Sequence, residues 1–410
     1  MSILAEAKEM AQGLMQAAMG KAVALAPDSW IPGGTPDPLI RQKNGHVGRP
    51  VSRLDGPVKV AGKARFAAEF AIDGMTYAAL VHSTVAKGRI AAIDTAAAEA
   101  APGVVLVMTH ANAPRLQAPP VFLSAEKAAG GDDLPVMQDD RVHWNGQPVA
   151  LVLAETQEQA DHATSLVRVT YEAGAALTSF EAARAEGTAS AQFMGQPLHD
   201  AIGDAEKALA AAPHRIDATY TTPRHNHNPI ELHGVTLAWQ DGVLHVHDAQ
   251  QLVAHAAYTL SRVFGIDENQ VVVTSPYVGG GFGSKTVWQH HILAAAAARL
   301  AARPVRCVLS REGVFRIVGG RSLTEQRVAL GAEADGRLTA LIHTGVTAKT
   351  AHSAGQSVEG ATHIEGLDGD KDADRRRQRQ HARSTRTRRA RDSSRKLSSS
   401  STTAPARCRT

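Results

Sequence analysis

Cysteine is scarce in this chain of 410 residues, which contains only Cys307 and Cys408. Two thiols about a hundred positions apart cannot build an iron–sulfur cluster or a cysteine-based zinc site without another chain. Their scarcity also fits a reducing compartment.

Long apolar runs are missing as well. The longest, residues 292–298, is far shorter than the ~20 residues that a membrane-spanning helix needs. Glu6 and Glu9 interrupt the apolar residues near the N-terminus, so no secretory signal is predicted. The composition, 43% hydrophobic and 20% charged, is typical of a globular protein, and the length allows two or three domains.

Positive charge is concentrated at the C-terminal end. Residues 375–410 hold 13 of the 44 Lys and Arg residues and one acid, Asp392, so the rest of the chain is acidic overall. A stretch this rich in Arg, Ser and Thr and this poor in apolar residues is predicted to be disordered. No aromatic residues alternate with the arginines, so weak non-specific binding of polyanions is expected, and no specific nucleic-acid recognition.

Composition and pattern divide the chain into five segments. We predict an α+β fold, made of an N-terminal extension (1–50), a compact α+β unit (51–172), an Ala-rich linker (173–212), a mixed α/β unit (213–354) and the basic tail (355–410). The periodicity stops near Gly355 over a few residues. Because Arg, Ala, Ser, Thr and Pro are what an out-of-frame reading of a GC-rich gene tends to give, we expect a shift of frame there. Recovery of peptides from residues 356–410 by mass spectrometry of the native protein would contradict this expectation.

Local signals place several elements. Asn145-Gly146 predicts a hairpin turn before a buried strand at residues 149–154. Thr156 and Gln159 form a capping-box pattern, which predicts the start of a helix. Asp335-Gly336 predicts a second hairpin, between strands at residues 325–330 and 338–345.

The segment Val278–Lys285 is the most informative stretch, because four glycines surround one phenylalanine between a β-branched run and an Ala-rich helix. Glycine lets backbone amides approach a ligand closely and allows positive φ. A helix that starts just after the loop adds unpaired N–H groups and a positive dipole end. The loop therefore predicts a binding site for an anionic cofactor.

Two other interpretations of this loop remain open. Gly279, Ser284, Lys285 and Thr286 differ from a phosphate-binding P-loop at one position, where Ser284 replaces a glycine. That replacement, and the lack of a following strand that ends in an acidic residue, disfavour a nucleotide-binding P-loop. The loop could also be a structural glycine turn.

Histidines and one acid form further candidate sites. His225 and His227, like His245 and His247, share one face of a strand, yet no third ligand cluster accompanies them, so polar residues on a solvated or cleft face are favoured over a metal site. Glu231 is expected to orient the loop through hydrogen bonds and not to act as a catalytic base.

Several blocks, in order and widely separated, resemble the molybdenum-binding large subunit of the xanthine dehydrogenase/aldehyde oxidase family. They are VSRLDG (51–56) with VAG (60–62), residues 102–109, residues 140–171, the glycine loop, which resembles GGGFGGK, and RPVR (303–306). The resemblance covers roughly residues 45–352. It implies an N-terminal α/β hammerhead domain followed by an incomplete mixed α/β molybdopterin-binding domain.

The resemblance also implies which residues contact the cofactor. The molybdenum centre and its pterin would lie against Gly280, Gly281, Phe282, Gly283 and Ser284. A glutamine upstream would hydrogen-bond an oxygen ligand of molybdenum, and counting back through the helix indicates Gln251, with Gln250 as the alternative. No protein side chain is expected to ligate the metal directly.

Other parts of the family pattern are missing from this chain. The family's catalytic glutamate, a general base, lies in a region that the chain does not contain, so no catalytic residue is assigned. The resemblance implies oxidation of an aldehyde or N-heterocycle with water as the oxygen source, by a chain that is itself inactive. A non-catalytic fragment that still binds partner subunits is the alternative function.

The resemblance further implies cofactors and partners. The pterin could carry a cytosine nucleotide, and [2Fe–2S] clusters and FAD would belong to an iron–sulfur subunit and a FAD subunit. A cytoplasmic location is expected, with export to the periplasm on a partner that carries a signal as the alternative.

Overall fold

The computed structural model describes residues 50–122, 125, 127–185, 192–193, 196–197, 199–201, 203–348 and 363–365. The chain divides into two compact units, Met1–Ala64 and Arg65–Thr410. The described part of the first unit contains the short helix α1 (Gly56–Val60), which has a proline in its first turn, where the missing N–H needs no partner. The predicted N-terminal extension, up to residue 49, and nearly all of the predicted basic tail lie outside the described residues.

The first part of the second unit alternates short strands and helices. After a 3₁₀ turn at Ala67–Glu69, its elements are β1 (Thr76–His82), β2 (Gly88–Asp94), α2 (Ala96–Glu99), β3 (Val104–Thr109), β4 (Arg141–Val142), β5 (Pro148–Ala154), α3 (Gln157–Thr164) and β6 (Arg168–Ala173). The predicted capping box is confirmed at α3, where Thr156 and Gln159 exchange hydrogen bonds of 3.2 and 3.1 Å.

The remainder of the unit continues the alternation. Its elements are α4 (Phe180–Ala185), β7 (Gln192–Phe193), β8 (Gln196–Pro197), β9 (His199–Ala201), α5 (Ala205–Ala211), β10 (His214–Thr222), β11 (His225–Asn226), β12 (Gly234–Gln240), β13 (Val243–Asp248), α6 (Val253–Phe264), β14 (Val271–Thr274), α7 (Gln289–Ala301), β15 (Val305–Val308), α8 (Arg311–Ile317), β16 (Gly320–Arg321), β17 (Thr324–Ala332), β18 (Leu338–Thr347) and β19 (His363–Glu365).

A seven-stranded sheet in the order β14-β13-β12-β15-β1-β5-β3 is the centre of the fold. Strand β15 pairs in parallel with β1, Thr76 opposite Val305, and antiparallel with β12, Gly234 opposite Val308. The sheet therefore joins strands from the predicted α+β unit to strands from the predicted mixed unit. Every residue of β5 is buried, as expected of an internal strand covered on both faces.

Helix α7 covers one face of this sheet and is buried over its first ten residues, Gln289 to Ala298. Its run of alanines lets the helix approach β12 and β15 closely, and the largest apolar cluster includes this run together with Leu237, Leu244 and Leu260. Burial of this apolar surface stabilises the wall that supports the glycine loop.

A second sheet, β10-β17-β18, extends beside the first. Helix α5 packs on β17 and β18 and buries Ala205 and Leu209 against Ala329 and Ile342. In the described part of the segment predicted as a linker, 173–212, α4 and α5 are helical, because its alanines and leucines favour helix and α5 has an apolar face to bury.

The two hairpin predictions have different outcomes. Residues Asp335 and Gly336 connect the antiparallel strands β17 and β18, which confirms that hairpin. The Asn145-Gly146 prediction is wrong in one respect: the turn exists, but β4 pairs with β2 and β5 pairs with β1 and β3. The Gln147 side chain accepts a hydrogen bond from His143 N and donates one to Arg141 O. It thus occupies the side of β4 where the second strand of a hairpin would have paired.

Among the described residues, no helix is long and apolar enough to cross a membrane.

Candidate functional site

The glycine loop joins β14 to α7 and turns on three residues with left-handed backbone. Gly280, Phe282 and Gly283 have φ angles of 91°, 54° and 94°. Glycine adopts such angles freely, whereas at Phe282 the surrounding structure must hold the backbone in a strained conformation. Phe282 is 62% exposed. The loop therefore presents backbone groups and an aromatic ring outward.

Gly281 lies directly against Gln251, just before α6. A Cβ atom on Gly281 would lie 2.4 Å from Gln251 Oε1, so only glycine permits this approach. The Gln251 backbone N–H donates to Lys285 O at 3.0 Å, and the Lys285 backbone N–H donates to Gln251 Oε1 at 3.2 Å. These bonds use the side-chain oxygen within the protein and leave the side-chain NH₂ of Gln251 as its donor for the cavity that it lines.

The neighbouring Gln250 has a different role. It is buried, its Nε2 donates to Asp248 Oδ2 at 3.0 Å, and its Oε1 accepts from the backbone N–H groups of Gln251 and Leu252. Both ends of its amide are occupied within the protein. Of the two glutamines that the sequence left open, Gln251 is the one that lines the cavity and whose side-chain NH₂ has no partner among the described residues.

Glu231 and Lys285 hold the two ends of the loop together. Glu231 Oε2 accepts from Gly279 N and from Lys285 Nζ, each at 2.5 Å, while Glu231 N donates to Gly279 O at 3.2 Å. Lys285 is only 1% exposed. Burial lowers the pKa of Lys285, and the Glu231 carboxylate opposes that shift. The prediction that Glu231 orients the loop through hydrogen bonds is confirmed.

Ser284 is fully buried beneath the loop. Its Oγ donates to Gly281 O at 2.7 Å and lies 3.0 Å from His233 Nε2, while its carbonyl accepts from Trp288 Nε1 at 2.6 Å. Ser284 therefore bonds to groups that hold the loop in place. It would influence a bound ligand only by fixing the position of Gly281.

A buried polar layer lies behind Ser284. Burial lowers the pKa of His233 to about 3, helped by the Lys285 charge, so this imidazole is neutral at physiological pH. His291 Nε2 lies 3.0 Å from Asp248 Oδ2. The pKa of the fully buried His290 is lowered for the same reason as that of His233, and both of its ring nitrogens lack a hydrogen-bond partner among the described residues. His233 and His290 thus add no positive charge beneath the loop.

A cavity of about 870 Å³ opens beside the loop. Its apolar lining comes from Phe122, Leu252, Phe282, Trp288 and Val346, and Gln251, Gly283 and Thr286 also line it. A volume of this size accommodates a cofactor together with a small substrate. No aspartate or glutamate from the described part of the chain lines it.

Sequence reasoning missed the other walls of this cavity. One comes from Gly130 and Gly131, and another from the region of β16, β17 and β18 that includes Gly320 and Arg321. A Cβ at Gly131 would lie 2.4 Å from the Trp288 ring, and one at Gly320 would lie 2.7 Å from His225 O. Both positions belong to Gly-Gly pairs, which signal close backbone approach and could have indicated these walls.

The two histidine pairs have contacts of their own within the protein. Within the ranges that the structure describes, no three His, Cys, Asp or Glu side chains are placed to hold a metal ion. His227 Nδ1 donates to Gly319 O at 3.1 Å, and the His247 ring stacks on Phe70 at 4.0 Å. These contacts fit the predicted role as polar residues on a cleft or partly solvated face.

The P-loop interpretation conflicts with the position of Lys285. A P-loop lysine must reach the phosphates of its nucleotide. Here the ammonium group is buried and bonded to Glu231, so it is not available to a ligand in the cavity.

Two family models match the chain. Residues 61–174 match the hammerhead domain of aldehyde oxidase and xanthine dehydrogenase, and residues 189–367 match the molybdopterin cofactor-binding domain. The second match extends past residue 354, where the sequence analysis placed the end of the domain.

Curated proteins and solved structures agree with these models. The molybdenum-binding subunit PaoC of the aldehyde oxidoreductase of Escherichia coli K12 is 36% identical over 304 residues, which are 72% of this chain and 39% of that protein. A probable xanthine dehydrogenase subunit from Bacillus subtilis is 30% identical over 70% of this chain and 38% of its own length. The chain thus spans about two fifths of the length of these relatives.

The aldehyde oxidoreductase of Desulfovibrio gigas has a similar fold. Its structure superposes with a TM-score of 0.63 at 26% identity, over 72% of this chain and 34% of that one. The predicted fold class, a hammerhead domain followed by a molybdopterin-binding domain, is confirmed. The chain belongs to the xanthine dehydrogenase/aldehyde oxidase family and carries part of its molybdenum-binding subunit.

Proposed function

We propose that this chain forms one side of the cofactor site in a molybdenum hydroxylase that oxidises an aldehyde or N-heterocycle with water as the oxygen source. The observation that carries the proposal is the contact of Gly281 with Gln251, beside a cavity large enough for cofactor and substrate. The names of the relatives, an aldehyde oxidoreductase subunit and a probable xanthine dehydrogenase subunit, support the reaction class.

The residues at the loop fit a molybdopterin. Gly280 and Gly283 supply left-handed turns, and the lack of a side chain at Gly281 leaves room for the Gln251 amide. Phe282 offers an exposed aromatic ring at the mouth of this surface. The lack of acidic side chains in the described lining suits an anionic group.

Each residue then has a definite task. When bound, the molybdenum cofactor would supply the two-electron oxidation. The side-chain NH₂ of Gln251 would donate a hydrogen bond that fixes the orientation of the cofactor without adding charge. Leu252 and Trp288 would exclude water from the same space, which strengthens every electrostatic interaction there.

Ser284 would contribute indirectly, because its hydroxyl holds Gly281 O. The Glu231–Lys285 pair would keep the loop closed against Gln251 while the cofactor enters. Neither is proposed to touch the substrate.

We further propose that the chain alone does not turn over substrate. Proton abstraction in this reaction class needs a general base near the substrate, and no carboxylate among the described residues lines the cavity. The alternative function, a non-catalytic fragment that binds partner subunits, would also show no turnover by the chain alone. Aldehyde-dependent dye reduction by the purified chain would contradict this proposal.

The remaining assignments follow from the family. We propose a cytosine dinucleotide form of the cofactor, with [2Fe–2S] clusters and FAD on partner subunits, since the chain's two cysteines are too few for a cluster. The names of the relatives identify them as subunits, which supports the existence of partners. We propose a cytoplasmic location, with export bound to a partner as the alternative.

Metal and pterin analysis tests the proposal directly. The chain is expressed in a host that makes molybdopterin, and molybdenum is measured by mass spectrometry and pterin by fluorescence of its oxidised form. We expect close to one of each per chain. In Gly281→Ala the new methyl group displaces the Gln251 side chain, so both contents should fall at least tenfold. Gly174→Ala is the matched control, because a Cβ there meets only ordinary contacts at 3.7 Å. Wild-type protein free of molybdenum would refute the proposal.

A further inference from the structure

One basic side chain of the cavity has no partner within the part of the protein that the structure describes. Arg321 lies on β16, which pairs with β11 so that Arg321 is opposite His225. Gly320, the residue before it, touches the His225 carbonyl so closely that a side chain there would not fit. The backbone that carries Arg321 is therefore fixed against its neighbour strand.

The arginine itself is exposed and lines the cavity. Two arginines elsewhere in the fold are paired with acids: Arg303 with Glu155 at 2.6 Å, and Arg327 with Glu206 and Asp217 at 2.5 and 2.7 Å. The described residues give Arg321 no such carboxylate, and the lining includes no other Lys or Arg. A single guanidinium in a concave, acid-free space is a favourable position for an anion, because its forked donors match an oxyanion.

Neutral donors line the same cavity. The Thr222 and Thr324 hydroxyls lie 2.7 Å apart in its lining, which also includes Ser322, the residue after Arg321. The pKa of His227 is lowered, mainly by burial and also by the Arg321 charge, which places the guanidinium near this ring. His227 donates from Nδ1 to Gly319 O, so its ring orientation is set.

We propose that Arg321, with the hydroxyls of Thr222 and Ser322, forms an oxyanion subsite that takes a phosphate or a carboxylate group at this wall of the cavity. The subsite follows from the cavity alone; the identity of the molecule that brings the anion rests on the proposed function. That molecule is either the cofactor, through its phosphate, or a substrate that carries a carboxylate.

Titration of the full chain with inorganic phosphate tests the subsite, with the chain produced in a host that makes no molybdopterin so that no cofactor phosphate occupies it. Heats are measured by calorimetry against sodium chloride of equal ionic strength. We expect saturable binding in the wild type, about tenfold weaker binding in Arg321→Gln, and an intermediate value in Arg321→Lys. Arg224→Gln, an exposed arginine that does not line the cavity, is the matched control and should bind like the wild type. The basic tail adds the same background to every variant, so the difference between variants reports on Arg321.

Three outcomes would overturn the subsite: absence of saturable binding in the wild type, wild-type affinity in Arg321→Gln, or an equal loss in Arg224→Gln. Because Arg321 is exposed, its substitution should leave the melting temperature nearly unchanged, which a thermal scan verifies.

Two further measurements identify the source of the anion. If the cofactor brings it, Arg321→Gln should lose pterin about tenfold and benzoate should not bind. If the substrate brings it, pterin content should stay constant while Arg321 supports benzoate binding that Arg321→Gln loses. A wild-type chain without molybdenum would refute the proposed function, and the phosphate titration would still decide the subsite.

Discussion

The buried pair of Lys285 and Glu231 predicts a large loss of stability when one partner is removed. Lys285→Met preserves the length and the apolar stem of the side chain but leaves the Glu231 carboxylate without its cation. Among the described residues, Glu231 then retains only the Gly279 N–H as a donor. Removing one partner of a buried pair typically costs about 3–5 kcal/mol. We therefore expect the free energy of unfolding to fall by roughly 4 kcal/mol and the melting temperature by roughly 10 °C.

The assay is urea and thermal unfolding followed by circular dichroism. Lys127→Met is the matched control, since Lys127 makes a 3.1 Å ion pair with Glu268 and its side chain is half exposed. An exposed pair contributes about 0–1 kcal/mol, so this variant should remain close to the wild type.

A double-mutant cycle completes the test. In Glu231→Gln with Lys285→Met, neither charge remains, and the loss should be smaller than the sum of the two single losses by at least about 1 kcal/mol. If Lys285→Met were no less stable than the Lys127→Met control, the pair would not hold the loop and the reasoning would be refuted.

Three further outcomes are expected. Burial raises the pKa of Asp132 to about 7, so this carboxyl contributes stability below about pH 4 that is lost as the pH rises toward 7. Asp132→Asn should therefore be more stable than the wild type at pH 8, by up to roughly 4 kcal/mol, and equal to it below pH 4. A difference in urea unfolding that does not change with pH would contradict this. The lowered pKa of His233 changes stability with pH in the opposite direction, because the unfolded chain binds a proton near pH 6.5 that the folded chain binds only near pH 3. Stability should therefore fall as the pH is lowered across that range, and it should fall less steeply in His233→Asn. Parallel pH profiles of the two proteins would rule the effect out. Burial raises the pKa of Cys307 to about 12, so peptide mapping after treatment of native protein with iodoacetamide should find this thiol unlabelled, whereas labelling without unfolding would show that it is accessible.

The elements that depend on neighbouring residues could be predicted from the sequence. The capping box at Thr156 and the hairpin at Asp335-Gly336 are set by side chains within a few positions. The hairpin at Asn145-Gly146 failed because its strands find partners elsewhere in the chain. A turn signal specifies a reversal of direction but not which strands pair after it.

The residues of the candidate site also differ in whether the sequence alone could predict them. The glycine loop is one continuous stretch, and Gln251 could be located by its distance from the loop in a family whose pattern is known. Arg321 and the Gly130-Gly131 wall could not be, because they lie on other elements and meet the loop only through long-range packing. The pairing of Thr76 with Val305, which places the two predicted units in one sheet, leaves no local trace either.

That shared sheet has a consequence for any attempt to divide the protein. Strand β15 lies between β1, from the hammerhead segment, and β12, from the cofactor-binding segment. A cut between residues 174 and 189, where the two family matches separate, would leave each fragment with a bare strand edge, and such edges recruit other chains into aggregates. The two fragments should therefore dissolve poorly when made alone and associate with each other when made together. The hammerhead segment and the cofactor-binding segment therefore depend on each other to fold, although two separate family models match them.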